Sequence, residues 1–150
     1  QDPYWRVTRD IAQKLGYYKP AQIHCRFLPG LGSGGKMSAS QPETSIFTMD
    51  QPDAVKKKIW NAFTGGKGTA AEQRKEGADP DVCNIFQYYF FLFEEDTAKL
   101  VERERKCRGG EMLCGECKKD IAEKLNVFLG QHQERREKAK DVIQQYHIKR

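Results

Sequence analysis

The sequence predicts a mainly α-helical fold that begins with one helix, one short strand and a glycine-rich loop. Helix-capping residues stand before apolar residues at helical spacing along most of the 150 residues. The alternation of apolar and polar residues that is typical of a strand occurs at residues 21–28. Hydrophobic residues make up 38% and charged residues 31% of the chain, which indicates a folded, charge-rich protein rather than a disordered one.

The first helix is predicted over residues 3–15. Asp2 can cap its start, Pro3 suits its first turn, and Gly16 can end it in a left-handed conformation. The strand at residues 21–28 follows. A solitary strand is unstable, because its backbone groups and its apolar face need partners. We therefore expect the chain to be part of a longer protein that supplies the rest of the sheet.

The remainder of the chain is predicted to be helical, from its capping residues and its apolar spacing. Asp50 is expected to cap a helix from Pro52 to Phe63, and Thr69 with Glu72 forms the capping box of the next helix. Asp81 is expected to start a helix that ends at Phe93, and Asp96 to cap a helix that ends near Gly109. A last helix is predicted over residues 115–146, with an apolar stripe formed by Ile121, Leu125, Phe128, Leu129, Ala139, Val142, Ile143 and Tyr146. The aromatic residues at 86–93 are predicted to be buried core rather than an RNA-stacking surface.

The charge balance permits a nucleic-acid partner without requiring one. With 26 basic and 21 acidic residues the net charge is +5, and the pI is near 8.9. The longest apolar run, residues 88–93, is six residues long, whereas a helix needs about 20 to cross a bilayer. No secretory signal opens the sequence. We therefore expect a cytoplasmic protein with no membrane partner.

A glycine-rich loop, residues 30–40, follows the predicted strand. It contains four glycines, three serines and one lysine, so its backbone is expected to be mobile unless a ligand holds it. Lys36 supplies a cation, and Ser38 and Ser40 supply hydroxyl donors, a combination that stabilises negative charge on phosphate oxygens. A surface linker with solvated side chains is the alternative interpretation.

The loop segment Lys36-Met37-Ser38-Ala39-Ser40 resembles the K-M-S-K-S signature loop of class I aminoacyl-tRNA synthetases. Ala39 stands in place of the second lysine, and the form K-M-S-A-S is the one found in tryptophanyl-tRNA synthetases of the archaeal and eukaryotic type. Other segments resemble that family in the same order, at residues 1–10, 45–47, 62–66, 110–119 and 132–136. The chain therefore resembles the C-terminal portion of that family.

This resemblance implies two structural parts. Residues 1–45 would be the C-terminal remnant of a Rossmann-type catalytic domain, with its last helix, strand and signature loop. Residues 46–150 would form a helical anticodon-binding domain. The implied activity of the full-length protein, a homodimer, is ATP-dependent activation of tryptophan and its transfer to tRNA(Trp). The chain alone is expected to be inactive, because it lacks the first signature of the class and most of the substrate pocket.

The resemblance also implies roles for individual residues. Lys36 is expected to bind the phosphates of ATP, with Ser38 and Ser40 as hydroxyl donors. Met37 is expected to lie near the adenine, and Gln1 to hydrogen-bond the amino group of tryptophan. Mg²⁺ is expected to arrive with ATP, held by phosphate oxygens rather than by the protein.

The implied anticodon contact is the turn Gly65-Gly66-Lys67-Gly68, where backbone amides and a lysine can approach unpaired nucleotides. The alternative is that the glycines only connect two helices. For the whole chain, the alternative is a free-standing tRNA-binding helical module without catalysis. Such a module would bind tRNA with salt-dependent affinity and without further sequence.

Three cysteines, Cys107, Cys114 and Cys117, have the spacing C-x6-C-x2-C, which suggests a zinc site with Cys83 or a histidine as the fourth ligand. The pattern lacks a second closely spaced pair, and the resembling family begins its last helix here without a metal. We therefore expect ordinary thiols and no structural metal. A zinc-stabilised helical interaction domain is the alternative, which a metal analysis would test.

Overall fold

The computed structural model of the protein describes residues 1–146, and it is mainly helical. Its α-helices are α1 Asp2–Lys14, α2 Pro52–Asn61, α3 Ala70–Glu76, α4 Asn84–Tyr88, α5 Thr97–Arg108 and α6 Cys114–Lys140. Short 3-10 helices span Pro42–Thr44 and Ile143–Tyr146, and a π-helical turn at Tyr89–Phe93 continues α4. The helical class is confirmed. The last four residues of the predicted second part, 147–150, lie outside the described range.

None of the helices within residues 1–146 combines the length and the apolar character needed to cross a membrane.

α1 forms close to its predicted bounds, but its predicted cap is wrong. Asp2 is its first residue rather than its cap, and the Asp2 carboxylate pairs with Arg6 at 2.7 Å, one turn further along. A carboxylate in the first turn still favours the helix through the helix dipole. The chain leaves α1 through Gly16, whose φ of +79° is left-handed as predicted. No residue of α1 is buried, and Trp5 and Leu15 on its apolar face are 44% and 65% exposed.

The strand predicted over residues 21–28 does not form. Residues 17–30 have no regular secondary structure, and the side chains of Ile23 and Phe27 are 94% and 87% exposed. A strand exists only through hydrogen bonds to a neighbouring strand. Because no other strand occurs within residues 1–146, the alternating pattern has nothing to pair with there.

The hydrophobic core lies where α2 packs against α6. Its centre consists of side chains that are at most 5% exposed: Val55, Ile59, Ile121, Leu125 and Leu129. Leu31 of the glycine-rich loop and Ile85 of α4 belong to the same cluster. Burying one such side chain contributes about 1.5–3 kcal/mol. The helical body therefore depends mainly on this contact.

The predicted apolar stripe of α6 is buried only in its first half. The helix ends at Lys140 rather than at residue 146, and Phe128 is 51% exposed. The later members of the stripe are exposed: Ala139, Val142, Ile143 and Tyr146. The stripe prediction is therefore wrong at Phe128 and at every member beyond Leu129.

Charged pairs one turn apart take the place of apolar packing in the last turns of α6. Glu134 accepts a hydrogen bond from Lys138 at 2.8 Å, and Glu137 accepts one from Lys140 at 2.5 Å. All four side chains are more than half exposed. Such pairs contribute only a few tenths of a kcal/mol each, roughly 0.2–0.5.

Asp50 does not cap α2 as predicted. Its carboxylate accepts hydrogen bonds from the N–H of Phe47 at 3.0 Å and from Lys58 at 2.6 Å, and the Asp50 and Lys58 side chains are 14% and 15% exposed. Gln133 of α6 donates from Nε2 to the carbonyl oxygens of Thr48 and Asp50, at 2.9 and 3.1 Å. Asp50 therefore links the loop before α2 to both helices of the core.

Two other predicted caps are confirmed. The Thr69 hydroxyl accepts from the N–H of Glu72 at 3.2 Å, and the Glu72 carboxylate accepts from the N–H of Thr69 at 3.0 Å. Asp96 caps α5 by accepting from the N–H of Ala98 at 2.9 Å. α5 ends before Gly109, as predicted.

The helix predicted over residues 81–93 begins three residues late. The Asp81 carboxylate pairs with Arg108 at 2.8 Å, and so joins the start of α4 to the end of α5. Of the aromatic residues at 86–93, only some are buried in the core. Tyr89 is fully buried as predicted, whereas Phe90 is 46% exposed, because consecutive residues of a helical segment point to different sides.

Gly77→Ala is expected to destabilise the protein by about 1–3 kcal/mol, the usual range for backbone strain. Gly77 has a φ of +74°, and an added Cβ would lie 1.8 Å from the carbonyl oxygen of Arg108. Gly130→Ala is the matched control: it lies inside α6 with no atom within 4 Å of the added Cβ. The control should gain about 0.5–1 kcal/mol. Urea unfolding followed by circular dichroism measures both, and equal midpoints would contradict the close approach at Gly77.

Candidate functional site

The glycine-rich loop is attached to the hydrophobic core through Leu31. The Leu31 side chain is 1% exposed, its N–H donates to the carbonyl oxygen of Thr44 at 2.8 Å, and its carbonyl accepts from the N–H of Phe63 at 2.8 Å. Asn84, at the start of α4, donates from Nδ2 to the carbonyl oxygen of Gly32 at 2.9 Å. The base of the loop is therefore bonded to three separate segments of the chain.

Glycine is required at two positions of this loop. Gly35 has a φ of +64°, and its carbonyl accepts from the N–H of Gly30 at 3.0 Å. A Cβ added at Gly30 would lie 2.6 Å from the carbonyl oxygen of Lys36. The backbone closes on itself at this point, and Lys36, the next residue, is exposed.

The structure brings three predicted phosphate-binding residues together on one short turn. The Ser38 and Ser40 hydroxyl oxygens are 2.8 Å apart, and the N–H of Ser38 donates to Oγ1 of Thr44 at 3.2 Å. Lys36 is exposed and forms no ion pair within the described part of the chain. Met37 is 38% exposed. One cation and two hydroxyl groups thus face solvent from a turn whose backbone is fixed by Thr44.

Gln1, the predicted tryptophan ligand, is not joined to this turn. It precedes α1, where its carbonyl accepts from the N–H groups of Tyr4 and Trp5 at 3.1 and 3.3 Å. No hydrogen bond within residues 1–146 connects its side chain to the glycine-rich loop.

The predicted anticodon turn divides into a packed half and an exposed half. A Cβ at Gly65 would lie 1.8 Å from the carbonyl oxygen of Asp79, and a Cβ at Gly66 would lie 2.6 Å from Sγ of Cys114. Both glycines are therefore needed for packing. Lys67 and Gly68 are exposed, and the Lys67 ammonium lies 3.4 Å from a carboxylate oxygen of Glu76.

Four cysteines line one cavity: Cys83, Cys107, Cys114 and Cys117. All are free thiols, and Cys83 and Cys107 are buried. Burial, together with the three neighbouring thiols, raises the pKa of Cys107 to about 12. Burial also raises the pKa of Cys117 to about 11, although the charge of Arg103 opposes that shift. At neutral pH both thiols are protonated.

Arg103 supplies a cation at the wall of the same cavity. Its guanidinium carbon lies 3.7 Å from the ring centre of Tyr89, and its Nη1 lies 3.8 Å from Sγ of Cys117. Its Nη2 pairs with the Asp120 carboxylate at 3.2 Å, and the Tyr89 hydroxyl donates to the same carboxylate at 2.7 Å. Burial and the bond to Asp120 raise the pKa of Tyr89, because a phenolate there would be desolvated beside a carboxylate.

The fold and the signature turn correspond to one protein family. The family model described as tRNA synthetases class I (W and Y) matches residues 1–130, a range that includes the glycine-rich loop and α1 to α5. The chain belongs to this family.

Close relatives within the family are tryptophan–tRNA ligases. The one from Thermococcus sibiricus is 54% identical over 148 residues, which cover 97% of this chain and 38% of the relative. The crystal structure of tryptophanyl-tRNA synthetase from Aeropyrum pernix K1 matches with a TM-score of 0.85 at 40% identity, over 95% of this chain and 40% of that one. The tyrosyl-tRNA synthetase from Aeropyrum pernix matches with a TM-score of 0.67 at 27% identity, over 83% and 38%. The chain thus spans about two fifths of the length of these relatives.

Sequence reasoning missed the residues that hold the loop in place. Asn84 bonds to Gly32, 52 positions away, and no local pattern relates the two. Thr44 lies close enough to Ser38 for a turn to be suspected, but its hydroxyl carries no distinctive signal. Both residues act through tertiary contacts that only the folded chain reveals.

Asn84→Ala is expected to loosen the base of the loop, because it removes the side-chain donor to Gly32. Backbone amides of residues 30–41 should then exchange with deuterium faster than in the wild type, while those of α6 stay unchanged. Gln87→Ala on the same helix is the control, since the Gln87 side chain has no hydrogen bond within residues 1–146. Hydrogen exchange with peptide mass spectrometry measures the effect. Unchanged exchange in Asn84→Ala would show that the hydrogen bond from Asn84 to Gly32 does not hold the base of the loop.

Proposed function

We propose that this chain is the C-terminal portion of a ligase that activates tryptophan with ATP and transfers it to tRNA(Trp). The proposal rests on the K-M-S-A-S turn, attached to the core by Leu31, in a chain that resembles tryptophan–tRNA ligases over 97% of its length. Tryptophan is favoured over tyrosine because the tryptophanyl enzyme of Aeropyrum pernix is the more similar in identity and in TM-score. The activity is assigned to the longer protein, since residues 1–146 contain no strand of a catalytic sheet.

The proposed role of Lys36 follows from the charge that develops in the first reaction step. The tryptophan carboxylate attacks the α-phosphorus of ATP, the bond to the bridging oxygen breaks, and pyrophosphate leaves with the electron pair. Negative charge grows on the departing oxygens, where a positioned cation and hydroxyl donors stabilise it. The exposed Lys36 ammonium and the paired hydroxyls of Ser38 and Ser40 meet this need. ATP is proposed to bring Mg²⁺ on its own phosphate oxygens.

Met37 and Gln1 are proposed to complete the substrate contacts. Met37 lies beside Lys36 and is assigned to the adenine, while Gln1 is assigned to the amino group of tryptophan. The homodimer implied by the family is likewise part of this proposal.

The proposed boundary between the catalytic remnant and the anticodon-binding part is residue 45. It is supported by the difference in burial on the two sides, since α1 has no buried residue and α2 and α6 form the core. Leu31 precedes the boundary yet belongs to that core. We therefore propose that the signature turn is anchored on the helical part and moves with it.

Lys36→Ala is expected to lower tryptophan-dependent ATP–pyrophosphate exchange by about 10²- to 10³-fold, the usual cost of removing one donor that stabilises transition-state charge. The assay uses the full-length protein, with tryptophan and tyrosine supplied separately. Lys99→Ala is the matched control, because Lys99 is exposed on α5, away from the loop.

Exchange that needs tryptophan and falls only in Lys36→Ala supports the proposal. Exchange with tyrosine instead would change the assigned substrate. No exchange with either amino acid, from a folded full-length protein, would leave the free-standing tRNA-binding module as the better account; at present the similarity of residues 1–45 to catalytic enzymes argues against that module.

Lys67 and Gly68 are proposed to contact the anticodon loop, because they form the exposed half of their turn. Gly65 and Gly66 are proposed to shape the turn and to present backbone groups at its edge. The Glu76 carboxylate near Lys67 is half exposed, so the ammonium can exchange this partner for a phosphate.

Lys67→Ala is expected to weaken tRNA(Trp) binding and to reduce the slope of log K against log salt by about 1, the effect of one lost phosphate contact. Tryptophan activation should not change, since the exchange reaction needs no tRNA. Filter binding over a salt series measures the slope, with Lys99→Ala as the control. An unaltered slope in Lys67→Ala would remove this residue from the tRNA interface.

A further inference from the structure

The carbonyl oxygen of Gly32 joins the glycine-rich loop to the helical part of the fold. It accepts a hydrogen bond from Nδ2 of Asn84 at 2.9 Å and another from the N–H of Gly35 at 3.1 Å. Gly35 is the residue directly before Lys36, and its own carbonyl accepts from the N–H of Gly30 at 3.0 Å. Two successive hydrogen bonds therefore connect the Asn84 side chain to the neighbour of the exposed lysine.

The Asn84 side chain donates from a fixed place at the start of α4. Asn84 is 7% exposed, and Ile85, the next residue, is 1% exposed in the hydrophobic core. The segment that leads into α4 is bonded as well, since the N–H of Asp79 donates to the carbonyl oxygen of Gly65 at 2.9 Å. The donor is therefore part of the packed helical body, and its bond ties the loop to that body.

We infer that Asn84 is a positioning residue for the activation of tryptophan, because it fixes the place of the Lys36 ammonium through Gly32 and Gly35. This role rests on the proposed function, in which Lys36 stabilises the departing pyrophosphate. Asn84 contributes to the reaction rate through the lysine and does not touch the substrates itself.

The composition of the loop explains why a fixed donor affects the rate. Of the four residues between Leu31 and Lys36, three are glycines, which adopt many backbone conformations when nothing holds them. A cation stabilises transition-state charge only when it is in place before the charge develops. A displacement of about 1 Å by a distant substitution can lower a rate by up to about 10²-fold.

The amide group of Asn84 is suited to this bond by its chemistry as well as its place. An asparagine amide carries two N–H donors and no charge, so it can bond to a carbonyl oxygen in a buried position. A carboxylate at position 84 could only accept, and its charge would face the partial negative charge of the Gly32 carbonyl. Leucine has nearly the same shape but no donor, so Asn84→Leu separates the hydrogen bond from the packing.

The experiment is tryptophan-dependent ATP–pyrophosphate exchange by the full-length protein, with rates expressed per active site by titration of the enzyme-bound adenylate. We expect kcat to fall about tenfold in Asn84→Leu and in Asn84→Ala. KM for tryptophan and for ATP should stay within about twofold, because an interaction made only in the transition state lowers kcat and kcat/KM equally. Gln87→Ala on the same helix is the control and should keep both values.

A double-mutant cycle with Lys36→Ala distinguishes positioning from a structural role. If Asn84 acts through the lysine, Asn84→Leu should cause no further loss of kcat in the Lys36→Ala background, since no ammonium is left to position. A structural role would lower kcat by the same factor in both backgrounds, and that result would overturn the inference.

An unchanged kcat in a folded Asn84→Leu protein would also overturn it. Should Asn84→Ala fail to fold, Asn84→Leu decides the question, because it keeps the volume of the side chain. The wild type provides the remaining distinction. A folded wild type without exchange would overturn the proposed ligase activity, whereas an active wild type with an equally active Asn84→Leu variant would overturn only the role of Asn84.

Discussion

The two backbone hydrogen bonds of Leu31 are the constraint on which the position of the glycine-rich loop depends. Both are made beside a side chain that is 1% exposed, where an unpaired N–H or carbonyl group would cost about 1–3 kcal/mol. The loop base therefore cannot separate from Thr44 or Phe63 without leaving polar groups buried. Packing of α2 on α6 creates that buried position, and the glycine turn then presents Lys36 to solvent. The position of the exposed Lys36 thus follows from the contact between α2 and α6, which lie further along the chain.

Local interactions made part of the fold predictable. Thr69 caps α3 and Asp96 caps α5 because each bonds to a residue at most three positions away, and such patterns are visible in the sequence. Asp50 and Asp81 have the same chemistry, but their carboxylates are taken by Lys58 and Arg108. Those partners are brought near by packing. The strand predicted at residues 21–28 does not form for a related reason. Its alternating apolar residues need the hydrogen bonds and the packing of a neighbouring sheet.

The candidate sites show the same division between local and tertiary information. Lys36, Ser38 and Ser40 lie within five residues, so their grouping on one turn could be predicted from the sequence. The cysteine cavity could not be predicted in that way, because Cys83 and Cys107 are 24 positions apart in the sequence and line the same cavity only in the folded chain. The glycines of the turn before α3 had two explanations in the sequence. The clash distances show that Gly65 and Gly66 are closely packed, whereas Lys67 in the same turn is exposed beside Glu76.

The last turns of α6 have a different physical basis from its first half. Beyond Gln133 the side-chain contacts of the helix are exposed pairs such as Glu134 with Lys138, whose attraction is screened over a Debye length of about 8 Å at physiological ionic strength. The buried half is insensitive to such screening. Concentrated salt should therefore fray α6 from its C-terminal end while its contact with α2 persists. The two ends of α6 therefore differ in their sensitivity to salt, and the end that packs against α2 is the resistant one.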